Sequence, residues 1–218
     1  MQFGDWFRNT GRRSLVVFGD SITVGEGASV PERSWANLLA AALNADLRNA
    51  AISGTTLQSS LLADGRPRPD NGFSRYREAL LREPADAVAI LYGYNDARYT
   101  AAPETFNVGA FTRELRTMIE ELLGRYPREG VCLGSPPFIP TIGFTRGSPG
   151  FTGQSRAGFE EYVSAVKSVA IEAGCVYAPV YERMSRHPDG ALASPDITHP
   201  NDLGHSVIAG AFFEAEPQ

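Results

Sequence analysis

Cysteine, lysine, histidine and long apolar runs are all scarce in this sequence of 218 residues, and each shortage excludes something. Two cysteines, Cys132 and Cys175, do not make a disulfide framework, and no paired Cys/His spacing suggests zinc or another metal. Both lie within two residues after a glycine, in short apolar runs, as small buried strand residues do. No stretch approaches the roughly 20 apolar residues a membrane helix needs. The segment Met1 to Arg8 carries early charges and lacks the apolar core of a signal peptide. The chain therefore reads as soluble and cytoplasmic, with no membrane partner. Lysine occurs once, at Lys167, among 20 basic residues set against 25 acidic ones. A net charge of −5 without a basic stripe excludes nucleic acid as a partner. The preference for arginine reads as codon bias, and oligomeric state stays open.

What is present is an ordinary globular composition, 43% hydrophobic and 21% charged, which is enough to fill one α/β domain over residues 1–218. Leu15 to Phe18 is a short, β-branched apolar run closed by Gly19, the pattern of a buried parallel strand ending in a tight turn. An amphipathic helix follows, with apolar positions at Trp35, Leu38, Leu39, Ala42 and Leu43. Further strands are read at 45–52, 86–91, 131–134 and 175–180, and further helices at 74–82, 111–126 and 159–173. Asn201 caps a last helix through Leu203, Val207 and Ile208. Strands alternating with helices on short connections mean a three-layer α/β/α sandwich around one five-stranded parallel sheet. Residues 135–154 form the longest irregular segment, with four prolines and four glycines, and read as a substrate wall or lid.

A parallel sheet gathers its strand ends at one edge, where such folds bind ligands. The first strand delivers Gly19-Asp20-Ser21 there, the second Gly54, the third Gly93-Tyr94-Asn95-Asp96 and the fifth Asp196-Ile197-Thr198-His199. A serine hydroxyl needs an adjacent base to become a nucleophile, and histidine suits that task near neutral pH. A carboxylate on the other ring nitrogen fixes the tautomer, which Asp196 can do for His199 within one turn of chain. The negative tetrahedral intermediate needs fixed donors. The backbone N–H groups of Ser21 and Gly54 and the side-chain amide of Asn95 are the candidates.

The four blocks Gly19-Asp20-Ser21-Ile22, Gly54 after Asn49-Ala50-Ala51, Gly93-x-Asn95-Asp96 and Asp196-x-x-His199 together resemble those of the SGNH (GDSL-like) hydrolases. Their order and spacing span nearly the whole chain, which makes the match far more specific than any block alone. Ile22 stands where the name-giving pattern has Leu, a volume-conserving change. The resemblance implies a flavodoxin-like sheet and a catalytic Ser21, His199 and Asp196. It also implies an oxyanion hole of Ser21, Gly54 and Asn95, a small-molecule ester or thioester substrate, and no cofactor. Tyr94, the free position of the third block, and Phe138 and Phe144 in the long loop are read as substrate contacts.

Blander readings stand beside these. Ser21 alone would serve as a helix cap, and Asn95 as a turn residue bonding its own backbone. Asp20 and Asp96 read as structural, His187 as a surface residue and His205 as a packing residue. Arg98 and Arg146 either hold an acidic substrate group or are solvated surface. Gly25-Glu26-Gly27 is a G-x-G without the third glycine of a dinucleotide fingerprint, since Val30 stands there. Thr23 removes the G-x-S-x-G of an α/β-hydrolase elbow. The functional expectation is hydrolysis of short-chain carboxylic esters through an acyl-serine. An acyltransferase or thioesterase on the same site, and a non-catalytic carbohydrate- or lipid-binding module, are the alternatives.

Overall fold

The computed structural model describes residues 1–217. The five parallel strands are β1 (Ser14–Gly19), β2 (Asp46–Asn49), β3 (Ala87–Leu91), β4 (Val131–Gly134) and β5 (Val176–Ala178). A sixth strand that the sequence pattern does not announce, β6 (Glu216–Pro217), pairs antiparallel with β5 and corrects the five-stranded expectation. Two residues carry no periodicity, so only their pairing reveals them. The sheet order is β2-β1-β3-β4-β5-β6. All residues of β3 and β4 are buried, because helices cover both faces of the sheet.

One face is covered by α1 (Phe3–Asn9), α3 (Trp35–Leu43) and α9 (Asp202–Phe213), the other by α4 (Gly72–Tyr76), α6 (Val108–Leu123) and α7 (Arg156–Ala173). Helix α1 is unforeseen. It buries Phe3, Trp6 and Phe7, which an unperiodic start to the chain does not advertise. On the same face Trp35 stacks on Phe212 with ring centroids 4.7 Å apart, an offset aromatic pair wholly out of water. The longer helices begin where the sequence supplies a cap: Ser34, Asn107, Ser155 and Asn201 each accept a hydrogen bond from the backbone N–H three residues on. No helix of the described residues is long and apolar enough to cross a membrane.

Three short helices sit where the strands end: α2 (Ser21–Val24) after β1, α5 (Tyr94–Arg98) after β3 and α8 (Val180–Met184) after β5. The last of these means that Asp196 and His199 do not follow β5 directly. They lie beyond α8, on a loop that folds back on itself through an antiparallel bridge between Ala193 and Pro200.

Candidate active site

The nucleophile candidate is presented by the core. Strand β1 ends in Gly19, and Asp20 then caps α2, its Oδ1 accepting from the Ile22 N–H at 3.0 Å. Asp20, not Ser21, is the cap, so the structural alternative for Ser21 falls away. Ser21 opens the helix, 8% exposed. The other oxygen of Asp20 is buried without a hydrogen-bond partner among the described residues, and burial pushes this carboxyl up to about 7, against the lowering effect of the Ile22 N–H.

Residues 52–58, which carry Gly54, are pinned by side chains from the end of β3. Asn95 Nδ2 donates to the Thr55 carbonyl at 2.9 Å, and Tyr92 Oη lies 3.0 Å from Thr55 Oγ1. Asp96 accepts from the Leu57 and Gln58 N–H groups at 2.9 and 3.0 Å, while its burial raises the carboxyl to about 6. Gly54 itself sits at φ +72°, a left-handed conformation that glycine adopts without strain. The N–H groups of Ser21 and Gly54 have no protein acceptor among the described residues, and Asn95 spends one amide hydrogen on Thr55. All three remain able to donate to a ligand.

The base candidate arrives on the opposite kind of support. His199 Nε2 lies 2.9 Å from Ser21 Oγ, and Nδ1 lies 2.6 Å from Asp196 Oδ2. Asp196 Oδ1 accepts three further bonds, from Ser194 Oγ at 2.7 Å and from the Thr198 and His199 N–H groups at 2.9 Å each. Partial burial works to raise the Asp196 carboxyl, yet these bonds hold it well below its ordinary value. An ionised Asp196 only accepts, so Nδ1 carries the proton and Nε2 offers its lone pair to the Ser21 hydroxyl. Between Asp196 and His199 the backbone turns through Ile197 at φ +68°, a strained conformation for a β-branched residue.

Gly27 lets the two halves meet. A Cβ there would lie 2.2 Å from the Pro200 carbonyl oxygen and 2.8 Å from His199 Cβ. His205, fully buried, locks the same corner. Its Nδ1 accepts from the Trp35 N–H at 3.2 Å, which leaves Nε2 to donate to the Glu26 carbonyl at 3.1 Å. Burial lowers its pKa, so it holds these two bonds as the neutral ring.

A pocket of about 390 Å³ opens on Ser21 and includes Gly54, Asn95, His199 and Phe151 in its wall. Tyr94, Phe138 and Phe144 do not line it. Tyr94 is 3% exposed and packs edge-on against Phe159. Phe144 packs on the same Phe159, and Phe138 lines a small cleft on the far side of His199. The helix α5 turns Tyr94 inward, which a strand-end motif read as an extended loop does not reveal. Arg98, read from the sequence as either an anion holder or solvated surface, stands at the pocket together with two residues given no role there, Glu26 and Arg68. Glu26 Oε2 lies 3.1 Å from His199 Nε2, and Oε1 accepts from Ser53 Oγ. Its signal was the Gly25-Glu26-Gly27 turn directly after the nucleophile block. Arg98 is 4% exposed, so it is not solvated surface.

The sequence profile of the GDSL-like lipase/acylhydrolase family matches residues 17–207. The fold is similar to that of a lipase/acylhydrolase from Enterococcus faecalis, with TM-score 0.71 and 23% identity over 94% of this chain and 98% of the other. It is also similar to an α/β hydrolase from the metagenome of Lake Arreo, Spain, with TM-score 0.69 and 24% identity over 92% and 93%. A catalytic mutant of an acetylxylan esterase from Geobacillus stearothermophilus gives TM-score 0.66 and 23% identity over 92% of both chains. No curated protein sequence matches this chain. With the four sequence blocks inside the matched span, the chain belongs to the GDSL-like lipase/acylhydrolase family, a family of carboxylic ester hydrolases.

Proposed function

We propose that the protein hydrolyses short-chain carboxylic esters through an acyl-serine intermediate, with Ser21, His199 and Asp196 as its catalytic triad. The observation that carries this reading is the unbroken line from Ser21 Oγ to His199 Nε2 at 2.9 Å and from His199 Nδ1 to Asp196 Oδ2 at 2.6 Å.

In acylation, Ser21 Oγ attacks the ester carbonyl and its proton passes to His199 Nε2. The tetrahedral oxyanion takes hydrogen bonds from the Ser21 and Gly54 N–H groups and the Asn95 amide. Each such donor is worth roughly 3–4 kcal/mol of barrier. Collapse breaks the bond to the alkoxide, which leaves as the alcohol with the proton from Nε2. Water then attacks the acyl-serine, gives its proton to Nε2, and collapse returns that proton to Ser21 Oγ as the acid departs. The imidazolium formed in each half lies between Asp196 on Nδ1 and Glu26 on Nε2.

A short acyl chain is supported by the wall of the pocket, in which Phe151 is the one aromatic side chain among the described residues. A chain-length series of acyl esters and acyl thioesters, assayed on the wild type and Ser21→Ala, tests the reading. Fastest turnover at two to about eight carbons, abolished in Ser21→Ala, is expected. Preference for long chains contradicts the short-chain claim, and faster thioester turnover favours a thioesterase. Undiminished turnover by Ser21→Ala contradicts the mechanism.

A further inference from the structure

The pocket holds cations that hydrolysis of a neutral ester does not use. Arg68 donates from Nε to the Gly54 carbonyl at 2.7 Å, and its Nη2 lies 3.1 Å from where a Cβ on Gly54 would stand. Its guanidinium carbon is 5.6 Å from the centroid of the Phe151 ring. The Nη donors of Arg68 meet no acceptor, and no carboxylate lies within 4.0 Å of them, among the described residues. Arg98, in the same wall, gives Nη2 to the carbonyls of Gly143, Arg146 and Phe151 at 3.2, 2.6 and 3.3 Å. Its Nε is buried with no hydrogen-bond partner among the described residues. The carboxylate in the same wall, Glu26, is turned to Ser53 and His199 instead.

Arg68 is half-buried, and its planar fork matches a carboxylate with two parallel hydrogen bonds. Here the fork is anchored through its Nε on the carbonyl of the oxyanion donor Gly54 itself, so its anion must sit close to the scissile carbonyl. We infer that Arg68, supported by the second cation at Arg98, is a specificity residue that selects esters bearing a carboxylate a few bonds from the ester group. The inference rests on Ser21 being the nucleophile, and it names the substrate class of that site. A carboxylate on the acyl side and one on the alcohol side share this chemistry.

Hydrolysis of an aryl hemisuccinate against the matching aryl butyrate, and of 4-acetoxybenzoate against phenyl acetate, separates the two positions. The wild type is expected to prefer one anionic ester over its neutral counterpart by about tenfold in kcat/KM, chiefly through KM, and to lose much of that preference in about 1 M salt. Arg68→Gln is expected to abolish the preference, while Arg68→Lys, which keeps the charge and loses the Nε bond to Gly54, retains most of it. Equal use of charged and neutral esters by the wild type overturns the inference. So does an equal fall on both in Arg68→Gln, since that is the signature of a brace for the Gly54 carbonyl. Calorimetric binding of monomethyl succinate to Ser21→Ala protein reads the charge without turnover. Affinity about tenfold weaker in Ser21→Ala/Arg68→Gln supports the inference, and unchanged or absent binding by Ser21→Ala contradicts it on the acyl side. A protein that binds the anion and hydrolyses no ester would contradict the nucleophile reading alone.

Discussion

The two halves of the site are built in opposite ways. The nucleophile half grows out of the sheet: Asp20 and Asp96 are 1% and 0% exposed, and their carboxyls, pushed up to about 7 and about 6 by burial, hold loop backbone. The base half is a self-contained turn, whose Asp196 side chain is 52% exposed and bonds only to residues within three positions of itself. Buried carboxylates that bond backbone N–H groups fix where an oxyanion will be stabilised. An exposed, strongly bonded carboxylate keeps its charge at working pH, as an orienter of histidine must. The difference teaches that the half needing rigid donors draws on the core, whereas the half needing a permanent charge stays near water.

The sharpest break falls on the exposed half. Asp196→Asn leaves the turn in place and takes away the charge that fixes the His199 tautomer. Steady-state ester hydrolysis should fall about 10⁴-fold in kcat with little change in global melting. Equal loss of melting temperature would mean that the turn is not self-contained. On the buried half, Asn95→Ala removes one oxyanion donor and the brace on Thr55, and kcat should fall about 10²- to 10³-fold. A change confined to KM would place Asn95 in substrate binding.

Smaller effects read the strain and the protonation. Ile197→Asn suits a left-handed backbone better than isoleucine does, so urea unfolding should show a gain of about 1 kcal/mol. A loss of stability would mean that the half-buried Ile197 side chain matters more than its φ. For Asp20 the folded pKa lies above the unfolded value of 3.8, at about 7. The fold thus binds the extra proton, and that stability, full below pH about 4, is lost as pH rises through 7. Asp20→Asn should melt a few degrees above the wild type at pH 8 and level with it near pH 4. The same increment at both pH values would contradict the protonation account.

Most of the buried half was legible in the sequence because its parts are strand ends. A short apolar run closed by Gly19, and another closed by Gly93, announce where the chain turns, and Ser21 and Asn95 follow at once. The residues of the exposed half were legible, but not its position, since α8 intervenes between β5 and Asp196. Strand β6 and helix α1 are too short for periodicity to register. The pocket wall was read least well. Tyr94, Phe138 and Phe144 look like wall residues from sequence because they are aromatics near loops, but aromatic side chains in loops bury as readily as those in helices. Arg68 is separated from Gly54 by 14 positions of loop, and no spacing rule connects them.

The central claim is that Ser21, activated by His199, forms a covalent acyl-enzyme. Mass spectrometry of the intact protein after reaction with a fluorophosphonate tests it most directly. One adduct per chain, mapped to Ser21, absent in Ser21→Ala and strongly slowed in His199→Ala, is the predicted result. No adduct on the native protein, or an equal adduct on Ser21→Ala, would contradict it.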